Sequence, residues 1–440
     1  MKRKILATLL SAAVVLSMVA CGSTETATTE TTETATEVVE EATEEVAEVA
    51  SGEVVELSFF GFKTGTQAVQ LEELIEQFNE ENADINVTYE GITNAGGFQE
   101  VVTTRLASGQ GDDIIFSSTS FISQLQQAGY LEDLSDLDIV DNYAQDMTVN
   151  GEVPGFAFGM SAFGMFANHD LLEELGLEVP KTYDDFMAAC QTTVDAGLVP
   201  IIAGSADGTG VGIFVTTKGL EDFYLGGDDV VAGVAAIDAG EVSLAETLRE
   251  GFEWAAQLRD LGYIDAEESL VMAPYDGAIA EFAKGETPFF FMGNWAVNDV
   301  RLAMPDTDIT FEGIPSNNES PVLITDAGVR ICINSKSEHK EEAIRFIEFM
   351  LSTENNDYYV AGQADFTVLK DGTSTDDPMV APAAELLAAG YSFPMTNPSF
   401  NNIDPWDLAK TYGANLFAGA DLETVIAELE EEVTNTILLK

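Results

Sequence analysis

The chain has 440 residues, of which 77 are acidic and 18 basic, and a formal net charge of −59 at pH 7. A surface of that sign repels phosphate backbones, which excludes nucleic acid and anionic lipid as general partners. Only three cysteines are present and nothing around them has metal-ligand spacing, so neither a disulfide framework nor a structural metal is expected.

Lys2, Arg3 and Lys4 precede an apolar run from Ile5 to Val19 that ends in small residues before Cys21. This is the architecture of a secretory signal over residues 1–20. The segment Leu16 Ser17 Met18 Val19 Ala20 Cys21 resembles the bacterial lipobox, with Met18 in place of the usual leucine. The resemblance implies that Cys21 is lipidated and becomes the new N-terminus, holding the exported chain at the cell membrane through acyl chains alone. No later segment approaches the ~18 consecutive apolar residues of a spanning helix. Residues 21–53 read as a disordered acidic tether, since Gly22 to Glu56 holds eleven Glu and no Lys or Arg. Glu and Ala also suit a helix there, but the many Thr and Val weaken that alternative. The signal carries +3 and the tether −11, leaving −51 on the body from Leu57 onward.

The body is too long for one typical core and suggests two domains. Val54 to Phe60 reads as a strand, and Gly61 to Thr66 as a turn. Val69, Leu71, Leu74, Ile75 and Phe78 then approximate the helical period, and Ile85 to Tyr89 returns as a strand. A helix from Phe98 to Ser108 precedes the short apolar run Asp113 to Phe116, after which Ser117 to Ser120 reads as a loop. Strands alternating with helices predict an α/β fold with largely parallel sheets, in which ligands gather at loops leaving the strands' carboxyl ends. The same grammar recurs further on. Phe163 to Asn168 leads into a helix over Asp170 to Leu175, and Thr182 with Asp185 forms a capping pair for another helix. Val199 to Gly204 reads as a buried strand followed by a loop over Ser205 to Gly212.

Gly208 Thr209 Gly210 Val211 Gly212 invites a dinucleotide reading but has Ile213 where the third glycine is required. His169 and His339, the two histidines, both sit where helices begin, so a serine triad is poorly supported. Cys190 on a helix and Cys332 in a strand read as small buried hydrophobes rather than disulfide partners. A calcium loop over Asp371 to Asp377 lacks the bidentate Glu and the loop spacing. Carboxylates are abundant enough that a glycosidase-type pair can arise by chance, and the sequence does not supply their separation. In Ile279 to Ala296 a helix ends at Gly285, a buried strand follows, and Gly293 Asn294 Trp295 emerges from its carboxyl end. An indole at that point is either core or a flat apolar face for a sugar ring, with Asn and Asp groups for hydroxyls.

Several ordered segments resemble the extracellular solute-binding family 1 of ABC transporters, the group that includes maltose-binding protein. They are Gly151 to Pro154, Met165 to Leu171 with Gly176, Leu177 and Pro180 to Thr182, Phe282 to Gly285 leading to Met292 to Trp295, and Ile333 to Ala343 followed by Phe346 to Ser352. The resemblance covers Val54 to the C-terminus and implies a two-lobed periplasmic-binding-protein fold of type II, with a hinge between lobes. It implies lobe 1 over 54–158 and 325–370 and lobe 2 over 159–324 and 371–440. The expected crossings lie near Phe156 to Met160, Ile324 to Gly328 and Lys370. It further implies an interlobe cleft with Trp295 as the stacking residue and Asn294, Thr119, Ser120, Phe62, Lys63, Ser161, Phe163, Asp207 and Asp326 as ligand contacts. Asn401, Asn402 and Trp406 are further contributors, and Leu422, Val425, Ile426 and Leu429 mark a closing helix. The function so implied is capture of a carbohydrate, an oligosaccharide in particular, by a monomer that acts as no enzyme, needs no cofactor and delivers its ligand to the transmembrane subunits of an ABC permease. A cationic solute such as a polyamine, a secreted glycosidase and a receptor for a sensor kinase are the alternatives.

Overall fold

The computed structural model describes residues 54–93, 97–144, 147–227, 229–373, 376–397 and 399–439. The signal, Cys21 and the tether therefore lie outside the described residues. Among the described residues there are eleven strands: β1 (Val55–Gly61), β2 (Ile85–Gly91), β3 (Ile114–Ser117), β4 (Phe156–Ala157), β5 (Ser161–Asn168), β6 (Ile201–Ile202), β7 (Phe289–Gly293), β8 (Ile309–Glu312), β9 (Leu323–Asp326), β10 (Arg330–Ile333) and β11 (Ser392–Pro394). They form two sheets, one ordered β2-β1-β3-β10-β4 and the other β11-β9-β5-β7-β6, with β8 also beside β5. This is the two-lobed type II arrangement.

Both sheets are mixed. Strands joined by helical crossovers pair in parallel, as β2 and β3 do with β1 and β6 with β7, and β11 is parallel to β9 after the chain's passage through the first sheet. Strands adjoining a passage between lobes run the other way: β10 is antiparallel to β3 and β4, and β5 to β7, β8 and β9. A strand that enters its sheet from the opposite lobe arrives against the direction of the crossovers.

The chain leaves the first sheet at Ala157 and joins the second at Ser161, then leaves the second at Asp326 and rejoins the first at Arg330. Between these passages Met160 bridges Phe366. Phe366 packs in the second lobe, Val368 and Leu369 in the first, and Val380 again in the second. The third passage therefore weaves through the same hinge.

The second sheet is covered on both faces, and its strands show why they read as unbroken apolar runs. In β5, Phe163, Met165 and Ala167 enter one core while Ala162 and Phe166 enter the other. In β7, Phe289 and Phe291 alternate with Phe290 and Met292 in the same way. Successive side chains of a strand point to opposite faces, so both parities must be apolar when both faces are covered. Thr182 caps the helix Tyr183–Asp195 by accepting from Asp185 N, as its spacing predicts.

Two segments read as loops differ from expectation. Ser117 to Ser120 is a strand end and a helix start, because Ser118 is extended and its carbonyl accepts from Phe121 and Ile122 to open the helix Thr119–Gln127. The second half of Ser205 to Gly212 is likewise helical, since the helix Thr209–Leu225 begins inside it. Its glycines allow close packing: a Cβ at Gly210 would lie 2.4 Å from Ala203 O, and one at Gly212 would lie 2.7 Å from Lys410 Cγ on the helix Pro405–Phe417. Asp371 and Asp377 diverge to different partners, Asp371 accepting from Asn142 and Thr353 while Asp377 pairs with Arg301. Cys190 and Cys332 are free thiols in the cores of different lobes. Among the described residues no helix is long and apolar enough to cross a membrane.

Candidate functional site

A cavity of about 610 Å³ opens between the lobes. The first lobe lines it with the segment after β1, from Phe62 to Gln67, together with Thr93 and Ser118; the second lobe contributes Tyr275, Asp276, Met292, Trp295 and Asp299. The passages between lobes supply Ser161, Asp326, Gly328 and Val329. Most of these follow the carboxyl ends of β1, β3, β7 and β9, where backbone diverging from a sheet leaves a crevice.

Trp295 is half-buried on one wall, and its orientation is set by the residues around it. Phe163 meets the indole edge-on at 4.9 Å between centroids, and Trp406 backs Phe163 at 5.2 Å. The benzo ring lies so close to Gly293 that a Cβ there would sit 2.1 Å from Cζ3 and 2.2 Å from Cη2. The Gly-Asn-Trp run thus has a local logic: glycine makes room for the ring that the third residue presents. Asn294 between them points the other way. It is fully buried, its Nδ2 donates to Ala364 O at 2.6 Å and Asp365 Oδ1 at 2.9 Å, and its Oδ1 accepts from Ala162 N at 2.7 Å.

Of the other residues singled out from sequence, Phe62, Lys63, Ser161 and Asp326 line the cavity. Phe163 is 5 % exposed and belongs to the core beneath Trp295. Asp207 is exposed and its carboxylate accepts from Thr209 N at the start of a helix, away from the cavity lining. The side chains of Thr119 and Ser120 lie outside what is described. Asn401 and Asn402 face Gln126, Gln127, Asn150 and Glu152 across a second, wider opening of about 620 Å³.

Tyr275 and Asp299 were not anticipated. The Tyr275 hydroxyl donates to Asp299 Oδ2 at 2.7 Å, and Thr66 Oγ1 donates to Asp299 Oδ1 at 3.0 Å, so one carboxylate joins the two lobes across the cleft. Burial, reinforced by the adjoining Asp299 carboxylate, pushes the Tyr275 phenol well above its usual range and keeps it a donor. Asp365 was missed as well. It is 5 % exposed, accepts from Ser161 Oγ and Asn294 Nδ2, and its carboxyl is raised by burial, with Lys63 acting in the opposite direction. Burial holds the Lys63 ammonium below its ordinary 10.5, opposed by the charge of Asp365. Neither Tyr275 nor Asp365 lies in a motif, and nothing local marks either residue. Among the described residues no group of His, Cys, Asp or Glu is arranged to hold a metal ion.

Residues 64–357 match the family profile described as bacterial extracellular solute-binding protein. The multiple sugar-binding protein of Streptococcus mutans is 22 % identical over 312 residues, covering 67 % of this chain and 70 % of that protein. Among solved structures, the solute-binding protein RafE in complex with raffinose superposes with a TM-score of 0.71 at 22 % identity, over 87 % of this chain and all of that one. A chitin oligosaccharide binding protein superposes with a TM-score of 0.73 at 17 % identity, over 88 % of this chain and all of that one. At such identities the structural likeness speaks for the fold.

Proposed function

We propose that this chain, which belongs to the bacterial extracellular solute-binding protein family, holds an oligosaccharide in its interlobe cleft without altering it and passes it to the transmembrane subunits of an ABC permease. The observation that carries this reading is the half-buried Trp295 indole, held by Gly293 and Phe163 on the wall of a cavity whose other lining groups are largely polar. A sugar ring presents an apolar face and a rim of hydroxyls, which suits an aromatic wall beside carboxylates, hydroxyls and an ammonium. The family and the raffinose- and chitin-oligosaccharide-binding neighbours support the same ligand class. In this reading Trp295 stacks, Phe62, Lys63, Ser161 and Asp326 contact ligand, and Asn294 and Phe163 hold the wall in place. Lobe 1 is 54–158 with 325–370, apart from Thr325 and Asp326 at the end of β9 and Ala364 and Phe366 in the second lobe's core, lobe 2 is 159–324 with 371–440, and closure about the three passages encloses the sugar.

Calorimetric titration of residues 54–440 with raffinose, xylotriose and chitotriose tests the proposal, with chromatography of the sugars after incubation. Saturable binding with the sugar recovered intact is expected; no saturation by any of them, or turnover of one, refutes it. The family implies an extracytoplasmic location, and the lipobox adds an anchor at Cys21. Metabolic labelling with an alkyne fatty acid should mark the wild-type chain and not Cys21→Ala. A cationic solute is the second reading, favoured by Asp276, Asp299 and Asp326 in the lining, and spermidine in the same titration distinguishes it.

A further inference from the structure

Gln126, Gln127, Asn150 and Glu152 of the first lobe face Asn401 and Asn402 of the second across an opening of about 620 Å³. All but Glu152 are carboxamides, each a donor and an acceptor at once. Both rims are held from within their own lobe. Gln126 Nε2 donates to Val149 O at 2.7 Å and Glu152 Oε2 at 3.0 Å, while Asn150 Nδ2 donates back to Gln126 Oε1 at 3.1 Å. Asn150 and Gly151, both at positive φ, form the tip between the bridged residues Val149 and Glu152, and these bonds pin that tip to the end of the helix Thr119–Gln127. Opposite them, Asp238 accepts from the backbone N–H groups of Asn401 and Asn402 and from Asn402 Nδ2. Gln127 is exposed, and among the described residues its side chain's one hydrogen bond is donated to Ser123, which leaves its carbonyl oxygen.

This opening and the Trp295 cavity are flanked by the same elements. The helix Thr119–Gln127 starts beside Ser118 in the lining of the Trp295 cavity and ends at Gln126 and Gln127 in the lining of the second opening, which at 1.5 Å per residue sets the two about 12 Å apart. In the second lobe, Asn401 and Asn402 lie on the segment that leaves the carboxyl end of β11, beside β9, whose own end lines the Trp295 cavity through Asp326. That segment runs into the helix bearing Trp406, the ring behind Phe163 and Trp295. We infer that the binding cleft continues along this seam, and that the protein takes a neutral oligosaccharide long enough to reach from Trp295 to the amides. The inference rests on the carbohydrate reading above and adds chain length to it. Carboxamides already fixed by Asp238 and by the Asn150–Gly151 tip lose little freedom when they meet hydroxyls. A chain that lies on both rims also gains contacts with two lobes at once beyond the indole, which favours the closed form. A sugar confined to Trp295 makes none of these contacts.

The test titrates residues 54–440 with neutral series of rising length: raffinose, stachyose and verbascose; xylobiose to xylohexaose; chitobiose to chitohexaose. In the series that binds, Kd should fall with length until the chain spans both openings, the longest member binding at least about 10-fold more tightly than the shortest that saturates. Gln127→Ala combined with Asn150→Gly changes two exposed positions, and glycine accepts the positive φ of residue 150. The double variant should weaken the longest sugar about 5- to 30-fold, as one or two lost hydrogen bonds give, and leave the shortest unchanged. A Kd independent of length, a longest-chain Kd that the double variant leaves alone, or equal weakening of short and long sugars overturns the extended cleft while leaving the carbohydrate reading intact. Failure of every sugar to saturate overturns both.

Discussion

Replacing Gly293 with alanine perturbs the indole of Trp295 without removing it. The new Cβ would lie 2.1 Å from Cζ3, 2.2 Å from Cη2 and 2.4 Å from Cε3, whereas carbon atoms settle at about 3.5–4.0 Å. The ring must therefore retreat by more than an ångström, and Phe163 blocks part of that path. Overpacking of this kind costs about 1–3 kcal/mol of stability. Losing the aligned aromatic face removes about 1–2 kcal/mol of binding, or about 5- to 30-fold in Kd. Calorimetry with the bound sugar and thermal unfolding would measure the two effects separately. Trp295→Ala should lose as much affinity, and Gly293→Ala combined with Trp295→Ala should be as stable as Trp295→Ala alone, because the clash disappears with the ring. Wild-type affinity in Gly293→Ala, or additive destabilisation in the double variant, would refute the assigned role of the glycine.

Asn294→Ala removes three hydrogen bonds that join β5, β7 and the hinge residues Ala364 and Asp365, and should destabilise the fold by about 3 kcal/mol, read as a fall in Tm. A variant within a degree of wild type would contradict that role. Lys63 supplies a pH dependence. Its folded-state pKa is depressed below 10.5, so between the two values the unfolded chain holds the proton more firmly and stability rises as pH climbs toward 10.5. Lys63→Met should lack that rise, with Asp365 and the Tyr89 hydroxyl unchanged around it; parallel Tm–pH curves for the two proteins would count against it. Cys190 and Cys332 should resist thiol reagents until the protein unfolds, since both are buried and burial pushes the Cys332 thiol up to about 12. Labelling of either thiol at the rate of a free one in the native state would contradict this.

The alternation of phenylalanines in β7, the period of the helix Val69–Glu81 and the cap at Thr182 are each local, and each was legible from residue order. So was the emergence of Gly293 Asn294 Trp295 at a strand's carboxyl end. Side-chain direction at that point was not legible. Asn294 and Trp295 are neighbours, yet one is sealed among Ala162, Ala364 and Asp365 while the other lines the cavity, because the chain turns into a short helix there and rotates successive side chains apart. The glycines around Gly208 mimicked a ligand loop because a helix approaching within contact distance also demands the absence of a Cβ. Residue order determined the elements and the strand end that carries the indole, since these depend on neighbours a few positions apart, whereas the two-lobed class was implied by the family resemblance. The resemblance had already put Lys63, Trp295 and Asp326 in one cleft, but only the tertiary structure decided that Tyr275 and Asp299 join them and that Asp365 lies buried beside Lys63. Those residues come from segments hundreds of positions apart, and it is the three hinge passages that set how the segments meet.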